Sequence, residues 1–173
     1  MFIPKTPHQV LSIVAGALVL FAGCAGTTES ISTVVPPPSP PIPIEKALLD
    51  EINRYRASLH LKSLVLHDVL TGQARLHSRN MARGKVAFGH GGFQKRALAI
   101  RSYISVVEIS ENLAVNRGHD DPVAIAFQTL MASPGHRKNI EGDFDMTGIG
   151  VEKSSDGSYF FTQIFADGAG RFR

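Results

Sequence analysis

Apolar residues return every three or four positions along four stretches of the chain, and run alternately or continuously along three others. Ile44, Leu48, Ile52, Tyr55 and Leu59 share one face at helical spacing just after Pro43, which predicts a first helix. Asp68 can cap a second, with Leu70, Ala74, His77 and Met81 on one face and Gly84 beyond its end. Phe93, Ala97, Ile100 and Ile104 predict a third. A fourth starts at Asp120 or Asp121, just before Pro122, carries Val123, Phe127, Leu130 and Met131, and stops before Pro134. Residues 105–116 read as a strand through Val106, Val107 and Ile109. Two further strands, over residues 148–152 and 159–165, flank Ser155-Asp156-Gly157-Ser158, and Asp-Gly between two such runs signals a hairpin. The last run is apolar on both faces, so it belongs in the middle of a sheet with cover on both sides. Helices on either side supply that cover, which gives an α+β fold: an α-β-α sandwich with a short, mainly antiparallel central sheet. No internal repeat is visible.

The chain before the first helix is organised differently. Lys5 precedes an apolar stretch from Val10 to Phe21, followed by Ala22-Gly23-Cys24. A basic start, a short apolar run and small residues before a break describe a secretory signal peptide, and the run is shorter than the ~20 residues of a spanning helix. Phe21-Ala22-Gly23-Cys24 resembles a bacterial lipobox, which implies that Cys24 is lipidated and becomes the mature N-terminus. More than one acyl chain there would hold the protein stably on a membrane. Ala25 takes the place of the Asp that often marks inner-membrane retention, so the outer membrane is expected where there is one. Residues 27–43 contain Pro36-Pro37-Pro38-Ser39-Pro40-Pro41-Ile42-Pro43, a semi-rigid polyproline spacer. The expected organisation is a signal peptide over 1–23, a tether over 24–43 beginning at the lipidated Cys24, and a folded domain over 44–173 whose elements run from near Ile44 to about Ala166.

Composition narrows the function classes. Of 173 residues 43% are hydrophobic, enough for one sizeable core, and the formal net charge is only +3. No run of Lys or Arg reaches the length of a nucleic-acid footprint, so no nucleic-acid partner is expected. The single cysteine excludes an internal disulfide framework and a Cys-rich zinc site. A monomer is expected.

The candidate chemistry sits in three short words: Phe88-Gly89-His90, Ser110-Glu111-Asn112-Leu113-Ala114, and Ser133-Pro134-Gly135-His136-Arg137-Lys138-Asn139-Ile140. Two histidines and a carboxylate from separate segments can form one polar cleft that binds a metal, handles a proton, or ties loops to the sheet through hydrogen bonds. His77 falls on the apolar stripe of the second helix and reads as a core residue or a support behind the cleft. His60, His67 and His119 read as surface. Ser133 and Asn139 read as cap or loop residues, and Arg137 as pairing with Glu141 or Asp143 or touching an anionic ligand. There is no His-Glu-x-x-His, Gly-x-Ser-x-Gly or Gly-x-x-x-x-Gly-Lys motif. His90-Gly91-Gly92 is similar to an esterase oxyanion loop but lacks a nucleophile elbow.

The same words, in this order, resemble the CAP superfamily of SCP-like domains (cysteine-rich secretory, antigen 5 and pathogenesis-related proteins), and its bacterial branch in particular. Asn53-Arg54-Tyr55-Arg56, His77-Ser78-Arg79-Asn80-Met81-Ala82, Gly148-Ile149-Gly150-Val151 and Phe161-Thr162-Gln163-Ile164-Phe165 complete the match. The resemblance implies an α-β-α sandwich and a cleft built from His90, Glu111 and His136, with His90 and His136 as metal ligands, commonly of zinc. It also implies a second glutamate before the last histidine. Here that segment reads Phe127-Gln128-Thr129-Leu130-Met131-Ala132 and has no carboxylate, the family's aromatic residue in that helix is also missing, and Ser110 stands where glycine is usual. Two His alone make a weak metal site, Glu111 as third ligand would strengthen it, and binding would fall below about pH 6 because ligating imidazole must be neutral. The expected function is a membrane-anchored, envelope-facing, non-enzymatic module whose cleft takes a lipid, a small apolar molecule or a peptide. The alternatives are a metal-assisted hydrolase or protease on an envelope substrate, and an interaction domain with a purely structural His/Glu cluster.

Overall fold

The structure, a computed structural model, describes residues 42–168. The apolar stretch, Cys24 and nearly all of the proline tether lie outside the described residues. Helix α1 (Pro43–Ser58) opens with proline at its first position, and Glu45 accepts the Ile42 N–H at 3.1 Å. Leu48 and Ile52 are buried as the stripe requires, but Leu59 stands 43% exposed at the C-cap, so the stripe ends one turn early. Arg56 ends α1 in a socket of carbonyls: Lys62 O at 2.8 Å, Ile140 O at 2.6 Å, Gly142 O at 2.8 Å and Phe144 O at 3.3 Å. A guanidinium with 1% exposure survives there because backbone oxygens replace its water.

Helix α2 (Asp68–Ala82) is capped by His67 and not by Asp68: the His67 Nδ1 accepts the Val69 N–H at 3.3 Å, and Asp68 lies in the first turn, where its charge suits the helix dipole. Helix α3 (Phe93–Arg101) follows Gly92 at φ 76°, and Ile104 packs on the core from beyond its end. Asp121 caps α4 (Pro122–Ala132), its carboxylate accepting from Val123 and Ala124 at 3.0 Å each. Ser133 then ends α4 and caps α5 (Pro134–Glu141), a helix the apolar pattern did not predict because only Ile140 in it is buried.

The sheet runs in the order β1 (Val65–Leu66), β3 (Met146–Lys153), β4 (Tyr159–Gly168), β2 (Val106–Asn116). Strand β4 pairs antiparallel with both β3 and β2, as its two apolar faces require. The two-residue β1, unmarked by any pattern, pairs parallel with β3, so the sheet is mixed but mainly antiparallel. Leu70, Ala74 and Ile100 from α2 and α3 cover one face with Ile164 and Ala166. Leu48, Ile52, Leu130 and Ile140 from α1, α4 and α5 cover the other with Ile149, Phe161 and Phe165. This is the expected α-β-α sandwich.

Glycine decides how closely α2 approaches. A Cβ on Gly148 would lie 2.1 Å from the Leu70 carbonyl carbon, and one on Gly150 would lie 2.2 Å from the Arg75 nitrogen. Helix backbone rests directly on strand backbone here, and any side chain would push α2 off the sheet. Among the described residues no helix is long and apolar enough to cross a membrane.

Candidate functional site

One step along β2 positions both candidate histidines. Successive strand residues face opposite sides of the sheet. Glu111, toward α3, accepts from His90 through Oε1 at 3.0 Å. Asn112, toward α5, donates to His136 O at 2.9 Å and accepts from Asn139 at 2.8 Å. The two imidazoles then stand with ring centroids 6.3 Å apart, which places His90, Glu111 and His136 beside one another. Cys24 lies outside the described residues.

The residue that sequence reasoning missed is Arg96 on α3. Its Nε donates to Glu111 Oε2 and its Nη2 to Oε1, both at 2.8 Å, in the side-on bidentate geometry that suits carboxylate best. Its Nη1 donates to Gly91 O at 2.9 Å and reaches His77 Nδ1 at 3.1 Å. This assigns the His77 tautomer: Nε2–H donates to Gly89 O at 3.0 Å, and Nδ1 accepts from the guanidinium. Burial, followed by the Arg96 charge, lowers the His77 pKa from its ordinary 6.5, which keeps this ring neutral. His77 is therefore the support behind the cleft, holding the loop that carries His90. A buried carboxylate needs a cation, and that rule was the available pointer to an arginine near Glu111.

The two cleft histidines differ. His90 is 53% exposed and its Nδ1–H donates to the carboxylate. His136 is half-buried, and its Nδ1 is buried without a hydrogen-bond partner. Burial, and then the nearby His90, lowers the His136 pKa from 6.5. The neighbours of His136 have plain structural work. Ser133 caps α5, and Arg137 donates through Nε and Nη2 to Met131 O at 3.0 and 2.8 Å, clamping the end of α4. Glu141 accepts the Tyr55 hydroxyl proton at 2.5 Å. His67 is half-buried at its cap, while His60, at φ 59°, and His119 are exposed. A cavity of about 470 Å³ lies elsewhere, between Ala132, Pro134, Arg137, Lys138, Glu141 and Gly142, with none of the three cleft residues in its wall.

The donor set does not fit a zinc centre. Structural and catalytic zinc sites take at least three protein ligands, and no such group of His, Cys, Asp or Glu occurs among the described residues. The third donor that the cleft could offer, Glu111, has both oxygens on Arg96, and a guanidinium in contact with the carboxylate opposes a second cation there.

Residues 49–165 match the sequence profile of CAP, the cysteine-rich secretory protein family. The chain belongs to this family. Several solved structures share the fold. One is an outer surface protein of Borrelia burgdorferi, at 23% identity and TM-score 0.59, covering 72% of this chain and 92% of that one. Another is an extracellular SCP-domain protein of Bacillus anthracis, at 27% identity and TM-score 0.58, covering 75% of this chain and 45% of that one. A third is a cysteine-rich secretory protein of Staphylococcus aureus, at 19% identity and TM-score 0.56, covering 72% and 38%. The CAP chain thus spans less than half the length of the last two. No curated protein matches it significantly.

Proposed function

We propose that this CAP chain is an extracytoplasmic binding module, secreted or held on the cell envelope through lipidated Cys24, and that its cleft captures a ligand without catalysis. The observation that carries this reading is the closed state of Glu111: a carboxylate whose side chain is 1% exposed, with both oxygens occupied by Arg96 and one shared with His90. A carboxylate so saturated is a poor general base and a poor metal ligand. Apolar side chains are exposed on the same side of the sheet as Glu111. Phe88, two residues before His90, is 49% exposed with its ring 6.3 Å from Phe160, and Val115, paired with Phe160 across β2 and β4, is 38% exposed. Histidines with exposed apolar side chains on the same side of the sheet suit a lipid, a small apolar molecule or an apolar peptide. The outer-surface and extracellular relatives support the location.

One observation favours the hydrolase reading. The His90 Nδ1–H to Glu111 bond orients the imidazole as a carboxylate orients a general base. Among the described residues no serine or threonine hydroxyl hydrogen-bonds to His90, so a hydrolase of this design would have to activate water.

The test is native mass spectrometry of protein taken from cells, with a peptide and ester hydrolysis screen on the same sample. A retained small ligand, lost in the folded His90→Ala/His136→Ala variant, is expected. Hydrolysis that vanishes in folded Glu111→Gln would overturn the binding reading. For the anchor, palmitate labelling should disappear in Cys24→Ser, and unchanged labelling would refute lipidation there.

A further inference from the structure

Charge is distributed unevenly through the fold. From residue 69 to residue 107 the chain has no Asp or Glu and seven Lys or Arg, while the other described residues carry fourteen Asp or Glu against eight Lys or Arg. The acid-free stretch is α2, the loop after it and α3, and both helices cover the same face of the sheet. Two of its cations, Arg75 and Arg96, neutralise Glu45 and Glu111. The other five, Arg79, Arg83, Lys85, Lys95 and Arg101, are exposed. The carboxylates at the margins are Asp68, Glu108 and Glu152, the last 3.9 Å from Arg79.

Exposed apolar side chains collect in the same stretch: Val86, Phe88, Leu98, Tyr103 and Val107, with Leu98 67% and Val107 64% exposed. They are interleaved with the cations. Lys95, Leu98 and Arg101 follow at three-residue spacing on the outer side of α3, and Lys85 is followed by Val86 and then Phe88 in the loop. Cations alone would suit any polyanion. Cations alternating with exposed leucine, phenylalanine and tyrosine suit an interface that is anionic at its surface and apolar just beneath.

We infer that the α2–α3 face docks on an anionic lipid bilayer, with Arg83, Lys85, Lys95 and Arg101 on the headgroups and Phe88 and Leu98 entering the acyl boundary. This goes beyond the cleft's binding role and does not require lipidation of Cys24. The opposite face, with α1, α4 and α5, carries Asp50, Glu51 and Glu141 and turns away from the bilayer.

The test uses the full chain carrying Cys24→Ser, so that no acyl chain contributes, and vesicle co-sedimentation. Vesicles of phosphatidylcholine alone are compared with vesicles containing 30% phosphatidylglycerol, so that any contact made by the apolar N-terminal stretch counts equally in both. The anionic vesicles should bind more tightly by at least about tenfold at low salt, and the advantage should collapse in 0.5 M NaCl. Arg83→Ala/Lys85→Ala/Lys95→Ala/Arg101→Ala should abolish it, while Lys46→Ala/Lys62→Ala/Lys138→Ala/Lys153→Ala, with the same loss of charge from elsewhere, should leave most of it. Phe88→Ser/Leu98→Ser should weaken binding to anionic vesicles severalfold and leave binding to a soluble polyanion, heparin, unchanged. Equal losses in the two quadruple variants would overturn the face assignment. Heparin binding as tight as vesicle binding, with no effect of Phe88→Ser/Leu98→Ser on either, would overturn the lipid assignment. Circular dichroism confirms the fold of each variant, and if the α2–α3 quadruple variant fails to fold, the four single substitutions carry the comparison.

Discussion

Two buried glutamates in this molecule are held in nearly the same way. Glu45 on α1 takes Arg75 of α2 through Nε at 2.8 Å and Nη2 at 2.6 Å; Glu111 on β2 takes Arg96 of α3 through the same two nitrogens at 2.8 Å each. Each carboxylate is 1% exposed, and the arginines are 15% and 10% exposed. What differs is the next partner. Glu45 also accepts a backbone N–H, from Ile42, whereas Glu111 also accepts from His90, and its arginine contacts His77. The same ion pair is tied to a backbone N–H in one place and to two imidazoles in the other. A buried salt bridge alone therefore says little about function; the groups around it do.

The largest effect should come from breaking either pair on one side. Glu45→Gln and Glu111→Gln each remove the carboxylate that a largely buried arginine grips through two nitrogens, and each should cost about 3–5 kcal/mol in urea unfolding. Only Glu111→Gln should also release the retained ligand, and equal ligand retention in the two variants would erase the distinction. Replacing both partners comes next. Glu45→Leu/Arg75→Met should stay within about 1–2 kcal/mol of wild type or exceed it. Glu111→Leu/Arg96→Met should recover stability in the same way but not ligand retention.

A smaller effect comes from protons. The pKa values of His77 and His136 are lowered in the fold from 6.5, so below that pH the unfolded chain takes up protons that the folded chain refuses. Stability should be full above pH 6.5 and fall as the pH drops through the window below it. His77→Gln should flatten that slope, and Glu45 substitutions should not; an unchanged slope in His77→Gln would remove the titratable cleft from the comparison. The smallest change in stability, about 0–1 kcal/mol, is expected for His90→Ala, whose ring is half in water. Ligand retention should nevertheless be lost, because stability and binding separate most cleanly at this residue.

Much of this was legible in advance because it depends on spacing. The four apolar stripes located α1 to α4, and the two-faced run of β4 located the centre of the sheet. His90, Glu111 and His136 were marked by their words and do meet. What stayed hidden depends on contacts between distant segments. Strand β1 is two residues long and exists because Asp145 O, just before β3, and Thr147 O on it accept the Val65 and His67 N–H groups. Helix α5 buries a single side chain and is set by its Ser133 cap. Arg96 has no periodicity of its own, and only the folding of α3 against β2, fifteen residues on, makes it the partner of Glu111. Without that contact Glu111 reads as free for metal or proton chemistry; with it the carboxylate is closed.

The glycines of β3 carry one last consequence, for how freely the sequence can drift. At Gly148 and Gly150 the missing side chain is the seat of a helix, so every alternative residue displaces α2 and, with it, the loop that carries His90. A saturation mutagenesis scan scored for ligand retention should find these two positions as intolerant as the cleft residues themselves, although neither belongs to the His90, Glu111 and His136 cluster. Intolerance would mark them as functional when their role is architectural.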